Sequence, residues 1–382
     1  MKTSAVTIDV LPRPSSLDLP GGADFIAAAE LSNLVERDLW GNDDHYYSPQ
    51  ARHESSQPSD YEERVMFVAR DGGSVVGKGV VDIPLTDNLG TCYVFVAVHP
   101  DYRGQGIGTG LYRALEGHAA GIGRSTIMAW ADEPAGFDLD PGNVLVPATG
   151  AGAFPRNSAT TALALRNGFQ LAQIDRCSVL DLATSLPQAG ALAQAAQDAA
   201  GPDYELVRWQ NRCPDDLVEQ YALLRQTMST DVPMGDLDWE EEVWDAARIR
   251  EGEERLLRTG GFSLVRAVRH RPTGLLAGHT ILEYQPARPE VVSQDDTLVL
   301  RAHRGRRLGM WLKAANLLDV PAVWPEALRV YTWNAEENAH MLAVNVSMGF
   351  VPAGYTAAWQ KKADDDGVTQ HQSDDGVAQH QV

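Results

Sequence analysis

The chain has 382 residues, enough for two cores of ordinary domain size. Hydrophobic residues make up 44% of the sequence and charged residues 22%, which is typical of a globular protein. The formal net charge is −20. Because phosphate contacts need an excess of lysine and arginine, this charge argues against a nucleic-acid partner. An acidic surface attracts cationic small molecules such as amines, although acidity also serves solubility alone.

The three cysteines, Cys92, Cys177 and Cys213, are odd in number and far apart. This spacing argues against a disulfide framework and against a zinc site, so we expect no metal. The N-terminus lacks the apolar core of a signal peptide, and no stretch reaches the roughly 18 apolar residues of a membrane span. The sequence therefore predicts a cytoplasmic protein without a membrane partner. Oligomeric state is not visible in it.

In chain order, the first half begins with a strand pattern at 5–12 and a helix pattern at 22–39. The polar stretch that follows at 40–61 predicts a mobile loop or an irregular helix. Three runs with hairpin signals between them predict strands at 64–70, 74–83 and 91–98. After a Gly-rich bend, the pattern predicts a helix at 110–123 and a strand at 125–130. A Pro- and Gly-rich loop at 131–156, a helix at 157–166 and a strand at 170–182 follow.

The same order of elements begins again after an Ala-, Gln- and Gly-rich stretch at 184–203, which we interpret as a linker that is extended or helical in part. Such repetition indicates an internal duplication. We therefore predict one domain at 1–183 and a second at 204–362. The polar, acidic segment at 363–382 contains DDGVTQHQ and its near-repeat DDGVAQHQ, and it predicts a disordered tail.

The most informative segment is the Gly-rich bend, which reads Arg103, Gly104, Gln105, Gly106, Ile107, Gly108, Thr109, Gly110. The helix that follows the bend presents unpaired N–H groups and the positive end of its dipole, and the glycines let the backbone approach an anion. Together these features predict a pyrophosphate cradle. The glycines fit the dinucleotide pattern GxGxxG poorly, and no GK[ST] follows them. Dinucleotide and nucleotide-triphosphate sites are therefore disfavoured.

This bend resembles motif A of the GNAT acetyltransferases, Arg/Gln-x-x-Gly-x-Gly/Ala, at Arg103, Gly106 and Gly108. The resemblance implies that the bend, from Arg103 through Thr109, holds the CoA pyrophosphate. It also implies that the preceding strand pairs with pantetheine through Val96 and Val98.

A second family feature is an Asn eleven residues before a Gly-Phe pair, here Asn157 before Gly168 and Phe169. The Tyr that often lies four residues before that Gly and protonates the CoA thiolate is replaced by Ala164. The usual general acid of the family is therefore absent from its usual position in the first half.

The second half repeats the signature without a gap, placing Val299, Arg304, Gly305 and Gly309 where the first half has Val98, Arg103, Gly104 and Gly108. Arg307 replaces the middle glycine, where its side chain either obstructs the cradle or adds a charge for a phosphate. Asn338 lies eleven residues before the second Gly-Phe pair, and Asn345 occupies the Tyr position. The tandem layout resembles mycothiol synthase and related actinobacterial acetyltransferases.

The resemblance covers nearly the whole chain and implies an α/β (α+β) fold of two tandem GNAT-like domains, each a mixed, mostly antiparallel sheet flanked by helices. It implies an N-acetyltransferase that takes acetyl-CoA as co-substrate. The acceptor would be the primary amine of a small molecule, which attacks the thioester directly. Because both Tyr positions are lost, a CoA-binding regulatory or structural pseudo-acetyltransferase without turnover is the alternative.

Candidate catalytic and acceptor-binding residues lie in the second half. Glu283, on the strand before the second bend, is a candidate base, and Tyr331 or Tyr355 is a candidate for the missing acid. Three carboxylates follow the first helix of this half, where the family places acceptor contacts: Asp231, Asp236 and Asp238. They suit an ammonium group, and helix capping or solvation is the alternative explanation. Which half is catalytic stays open.

Overall fold

The computed structural model describes residues 6–363, so the predicted tail falls almost wholly outside the described residues. The strands of the first half are β1 (Thr7–Leu11), β2 (Glu62–Asp71), β3 (Ser74–Pro84), β4 (Thr91–Val98), β5 (Thr126–Pro134), β6 (Val144–Leu145), β7 (Phe154–Pro155) and β8 (Gln170–Asp181). Its helices are α1 (Gly22–Trp40), α2 (Pro49–Ser55), α3 (Ile107–Gly121) and α4 (Ala159–Arg166), and α5 (Leu182–Ala200) joins the halves.

The second half repeats the order of elements. Its strands are β9 (Tyr204–Gln210), β10 (Phe262–His270), β11 (Leu275–Tyr284), β12 (Val291–Val299), β13 (Arg329–Ala335) and β14 (Val351–Lys362). Its helices are α6 (Val218–Asp231), α7 (Ala246–Arg258), α8 (Leu308–Val323) and α9 (Ala339–Met348). The predicted mixed, mostly antiparallel architecture is confirmed, with β4–β5 and β12–β13 as the parallel pairs.

Three segments predicted as linker or loop contain regular structure. The predicted linker is helix α5, because Asp181 caps its N-terminus and a stripe of buried alanines, including Ala189, Ala193 and Ala196, packs with α8 in one core. The stretch at 40–61, predicted as a mobile loop or an irregular helix, contains the short helix α2, and the predicted loop at 131–156 contains the β6–β7 ribbon. Helix α3 begins at Ile107, three residues before the predicted start.

One twelve-stranded sheet crosses both halves, in the order β1-β2-β3-β4-β5-β14-β8-β13-β12-β11-β10-β9. The last strand of the chain, β14, lies between β5 and β8 of the first half. Reciprocally, β8 pairs with β13 of the second half. Each half therefore completes its sheet with a strand of the other, and the predicted division into domains stays a prediction.

Helices cover both faces of the sheet. Successive side chains of β10 lie on opposite faces of the sheet. Leu264 lies in the core beneath α5 and α8, and Val265 lies in the core beneath α6 and α7. In the first half, α3 covers one face and α1 the other. Helix α2 contacts α7, so the helices on this second face meet across the halves. Within residues 6–363 no helix is both long and apolar enough to cross a membrane.

Buried ion pairs join the halves near the centre of the sheet. The Asp44 carboxylate accepts hydrogen bonds from Arg329 at 2.6 Å and from the Tyr331 hydroxyl at 2.7 Å. Burial alone would raise the pKa of Asp44, but these bonds outweigh it and lower that pKa. Arg176 makes a two-pronged bond to Glu336 at 2.8 and 2.7 Å.

The strand exchange makes a direct prediction about the isolated halves. A fragment of residues 1–183 lacks β14, which supplies the buried Ala357, Ala358 and Trp359. Burial of a large side chain contributes about 1.5–3 kcal/mol, so this fragment is expected not to fold stably alone. Co-expression with residues 184–382 should restore a folded heterodimer, seen as dispersed amide signals in NMR spectra. A well-folded monomeric 1–183 fragment would contradict the expectation.

Candidate active site

Strands β4 and β5 separate at the start of the Gly-rich bend. Their parallel pairing ends at Val94 and Ala129. Beyond it, Val96 and Val98 pair only with β3 on their other side, opposite Gly79 and Gly77. The β5-facing edge of β4 therefore has no strand partner there, as the family resemblance implied for the pantetheine-binding strand.

Glycine brings helix α3 close to this gap. A Cβ at Gly77 would lie 2.9 Å from Leu111 and 3.0 Å from Ile107, so only glycine lets α3 pack so closely on β3. At the helix start, Gly106 has φ 83° and no side chain caps the first turn. The N–H groups of that turn therefore remain available to an anion.

A cavity of about 850 Å³ opens at this gap. The predicted cofactor residues that line it are Val96, Val98, Arg103, Gly104, Gly106, Ile107, Gly108 and Thr109. Helix α4 and Trp359 of β14 complete the wall. The cavity thus unites the bend, the separated strands and a residue of the second half.

Two predicted cofactor residues of the first half lie outside this lining, and the side chain of a third has a partner within the protein. Gln105 is exposed and donates to the Asp101 carbonyl at 3.4 Å. Asn157 is exposed, and the cap of α4 is Ser158, whose hydroxyl accepts from the Thr161 N–H. The Arg103 guanidinium donates to Asp38 at 2.7 Å. Their contacts with CoA stay predictions.

The second bend has the same backbone as the first. Gly305 and Arg307 have φ 79° and 57°, matching 77° and 83° at Gly104 and Gly106. Arg304 donates to the Val299 carbonyl at 3.0 Å, as Arg103 does to Val98 at 3.4 Å. Arg307 therefore adopts the left-handed conformation that glycine adopts in the first half.

A smaller cavity of the second half, at about 140 Å³, lies by the ends of β12 and β13, and none of the residues of the second bend lines it. Its lining includes Asp295, Asp296, Lys313, Asn334 and Asn338. The side chain of Lys313 is almost fully buried, and burial lowers its pKa to about 7. Asn338 accepts from the Met341 N–H at 3.2 Å and so caps α9.

The residues predicted to bind the acceptor amine either have partners within the protein or are exposed. Asp231 is buried and holds both Arg301 and Arg304. Asp236 and Asp238 are exposed on a loop that crosses to the first half, where the Asp236 N–H donates to the Ala172 carbonyl at 3.3 Å. Asp238 pairs with Lys362 at 2.9 Å. The structure does not bring these three together in one pocket.

The predicted catalytic residues lie in three different places. Glu283, in the second half, has its pKa raised to about 7 by burial and by Asp295. Tyr331 donates to Asp44 at the junction, and burial with this bond raises its pKa. Tyr355, on β14, is in register with Glu133, a residue that lines the large cavity. Of the three, only Tyr355 lies beside that cavity.

Sequence reasoning missed the four carboxylates of the large cavity, of which Asp38 is bound by Arg103 and the others are Glu36, Asp132 and Glu133. Burial, followed by the charge of Asp132, raises the pKa of Glu36 to about 7, although Arg52 and Trp40 oppose the shift. Burial also raises the pKa of Asp132 and of Glu133. In the sequence, Glu36 is one of several charges on a helix, so no local signal marks it.

Comparison with known proteins bears on the first half and on the whole fold. Residues 33–136 match the model of the acetyltransferase (GNAT) family. No curated relative matches the sequence.

Among solved structures, a tandem GNAT protein from the clavulanic acid biosynthesis pathway is similar over 94% of this chain and 98% of its own, with 24% identity and a TM-score of 0.71. A GCN5-related N-acetyltransferase from Sphaerobacter thermophilus is similar over 94% and 95%, with 14% identity and a TM-score of 0.53. A glucosamine N-acetyltransferase region of a fungal multi-domain β-N-acetylglucosaminidase has a TM-score of 0.58, with 14% identity over 94% of this chain and 38% of that one.

These likenesses show that the chain has the tandem GNAT fold. The resemblance to mycothiol synthase stays a prediction.

The raised pKa of Glu36 predicts how stability depends on pH. A folded-state pKa of about 7 against an ordinary 4.5 means that the folded state binds more protons in this window, so stability falls as pH rises through it. Because glutamine does not titrate, Glu36→Gln should reduce the fall in the free energy of unfolding between pH 5 and pH 8 by on the order of 1–3 kcal/mol. Urea unfolding at pH 5 and pH 8 would measure it, with Glu30→Gln on the exposed face of the same helix as control. Identical pH dependence in the Glu36→Gln and native chains would contradict the assignment.

Proposed function

We propose that the protein is an N-acetyltransferase that moves an acetyl group from acetyl-CoA to the primary amine of a small molecule, at the large cavity of the first half. The observation that carries this proposal is that one cavity unites an anion-binding bend, two separated strands and titratable carboxylates. A cytoplasmic location, no metal and no nucleic-acid partner belong to the same proposal.

The residues of the first cavity fit acetyl-CoA. The uncapped start of α3 suits the pyrophosphate, and the free edge of β4 suits the amides of pantetheine. The volume of about 850 Å³ lies in the range of sites for extended ligands. The second cavity, at about 140 Å³, is too small for such a ligand, which supports the first half as the site of binding.

Glu36 supplies the base in this proposal. An acceptor amine is an ammonium ion at neutral pH and must lose a proton before its nitrogen can attack. A carboxylate with a pKa of about 7 accepts that proton efficiently near neutral pH. In the transfer, a bond forms between the amine nitrogen and the acetyl carbon, the carbon–sulfur bond breaks, and the sulfur leaves as a thiolate.

The acid that protonates this thiolate is not the usual family Tyr, since Ala164 occupies its position and lines the cavity. Tyr112 also lines the cavity, but its hydroxyl donates to Glu116 at 2.9 Å. Tyr355 therefore remains our candidate acid. Loss of the family Tyr in both halves is the observation that favours the alternative, CoA binding without turnover.

Matched variants of the two bends locate the cofactor. We expect one acetyl-CoA site per chain by isothermal titration. Gly108→Glu should weaken it by on the order of 100-fold, because the added charge lies beside the pyrophosphate cradle. A Cβ there meets Val98 and Leu163 only at 3.6 Å. Gly309→Glu, at the equivalent position of the second half, should leave the affinity unchanged. Loss of binding in Gly309→Glu alone would place the site in the second half.

Turnover separates the enzyme from the pseudo-enzyme. With an amine panel and a thiol-detecting reagent, Glu36→Gln should lower kcat/KM by about 10²–10⁴-fold while acetyl-CoA affinity stays unchanged. The loss of rate toward acidic pH, centred near pH 7 in the native chain, should also disappear in this variant. Acetyl-CoA binding without thiol release from any amine would support the alternative.

A further inference from the structure

Two carboxylates flank β14 on one face of the sheet. Thr356 of β14 is opposite Asp132 of β5 and also opposite Asp175 of β8. Neighbouring strands lie about 4.8 Å apart, so the two Asp backbones are about 10 Å apart across the exchanged strand. Asp132 lines the large cavity and accepts from the Thr356 hydroxyl at 2.5 Å. The row therefore extends from the cavity toward the second half.

Further carboxylates continue the row at both ends. Glu36 of α1 lies near Asp132, and Glu337, which follows β13, lies near Asp175. The Oε1 oxygen of Glu337 accepts from Gln173 at 2.8 Å, whereas its Oε2 oxygen is buried without a hydrogen-bond partner. We call Glu36, Asp132, Asp175 and Glu337 the acidic groove, of which Glu36 and Asp132 line the large cavity.

The carboxylates of the acidic groove lack the close ion pairs that other carboxylates of the described chain have, although the charge of Arg52 acts on Glu36. Asp44 is held by Arg329, and Asp231 by two arginines. Among residues 6–363, no member of the groove has an ion pair within 4.0 Å, although neighbouring Glu336 pairs with Arg176. Burial and then the charges of Glu337 and Asp132 raise the pKa of Asp175 to about 7. Half-buried carboxylates without an ion pair are costly, so the row favours a positively charged ligand.

Aromatic side chains lie beside the groove at the junction of the halves. Trp40 stacks on His45 at 4.6 Å, and His45 meets the edges of Tyr331 and Trp333. Trp40 and Trp333 pack with Cys177, two residues along β8 from Asp175. Such faces favour alkyl ammonium groups. Among residues 6–363, no three metal-ligating side chains come together, which favours an extended organic cation over a metal ion.

We infer that the acidic groove binds a linear acceptor with at least two ammonium groups, the reacting one at Glu36 and Asp132 and another at Asp175 and Glu337. The inference rests on the proposed function for the reacting end of the acceptor. It assigns the distal ammonium group to a site formed by residues of both halves. The spacing of the row suits nitrogen atoms up to about 10 Å apart.

The test compares hexylamine with 1,6-diaminohexane, which have the same carbon chain and differ by one ammonium group. In calorimetric titrations of the full chain, the diamine should bind tighter by on the order of tenfold or more. Binding at pH 7 should release protons, seen as heats that vary with the ionisation enthalpy of the buffer, because a bound cation favours the charged carboxylates.

Asp175→Asn should remove most of this tenfold preference for the diamine. Asp198→Asn, an exposed position on α5 with the same change in net charge, should keep it. Thermal unfolding checks that both variants fold, and the Asn replacement removes a buried charge, so no loss of stability is expected from it.

The outcomes distinguish the inference from the proposed function. Equal affinity for the two amines, or a preference unchanged in Asp175→Asn, overturns the inference even if acetyl transfer is observed. Preferential diamine binding that needs Asp175, without thiol release from acetyl-CoA, supports the groove and overturns the enzyme. Preferential binding together with faster acetylation of the diamine supports both.

Discussion

The exchange of strands β14 and β8 at the centre of the sheet is the constraint on which the site depends. With β14 between β5 and β8, the second half supplies Trp359 to the wall of the large cavity and Thr356 to the row of carboxylates. The same exchange brings the turn after β13 beside β8, where Glu336 binds Arg176 and Glu337 approaches Asp175. The cavity is therefore a product of the whole chain, although its bend belongs to one half.

The two Gly-rich bends have similar backbone conformations but different surroundings. Both bends place residues in the left-handed region before a helix, and both anchor an Arg to the preceding strand. Around the first, the strands separate into a large cavity. In the second half, Lys313 and the carboxylates Asp295 and Asp296 border a cavity about one sixth as large. The backbone conformation of a bend therefore does not determine the volume of the neighbouring cavity, which depends on side chains from other elements.

Sequence alone determined the features that rest on local patterns. The glycines of the bend permit left-handed backbone at Gly104 and Gly106, a region that other residues such as Arg307 reach only at a cost. Alternating and helical periodicity predicted most elements, and their repetition predicted the tandem fold. Eight of the predicted cofactor residues, Val96 and Thr109 among them, line the large cavity. Their roles in binding stay predictions, but their placement follows from a contiguous motif.

Only the tertiary structure decided which residues from distant segments meet. Glu36, Asp132 and Asp175 are separated by scores of residues, and each is unremarkable in its own segment. Their raised pKa values arise from burial and from one another, and both causes depend on strand order and register. Asp231 is a further example, because no local sequence pattern indicates a partner for its carboxylate, whereas in the fold it pairs with Arg301 and Arg304. Local patterns set backbone conformation, whereas electrostatics depends on distances through space.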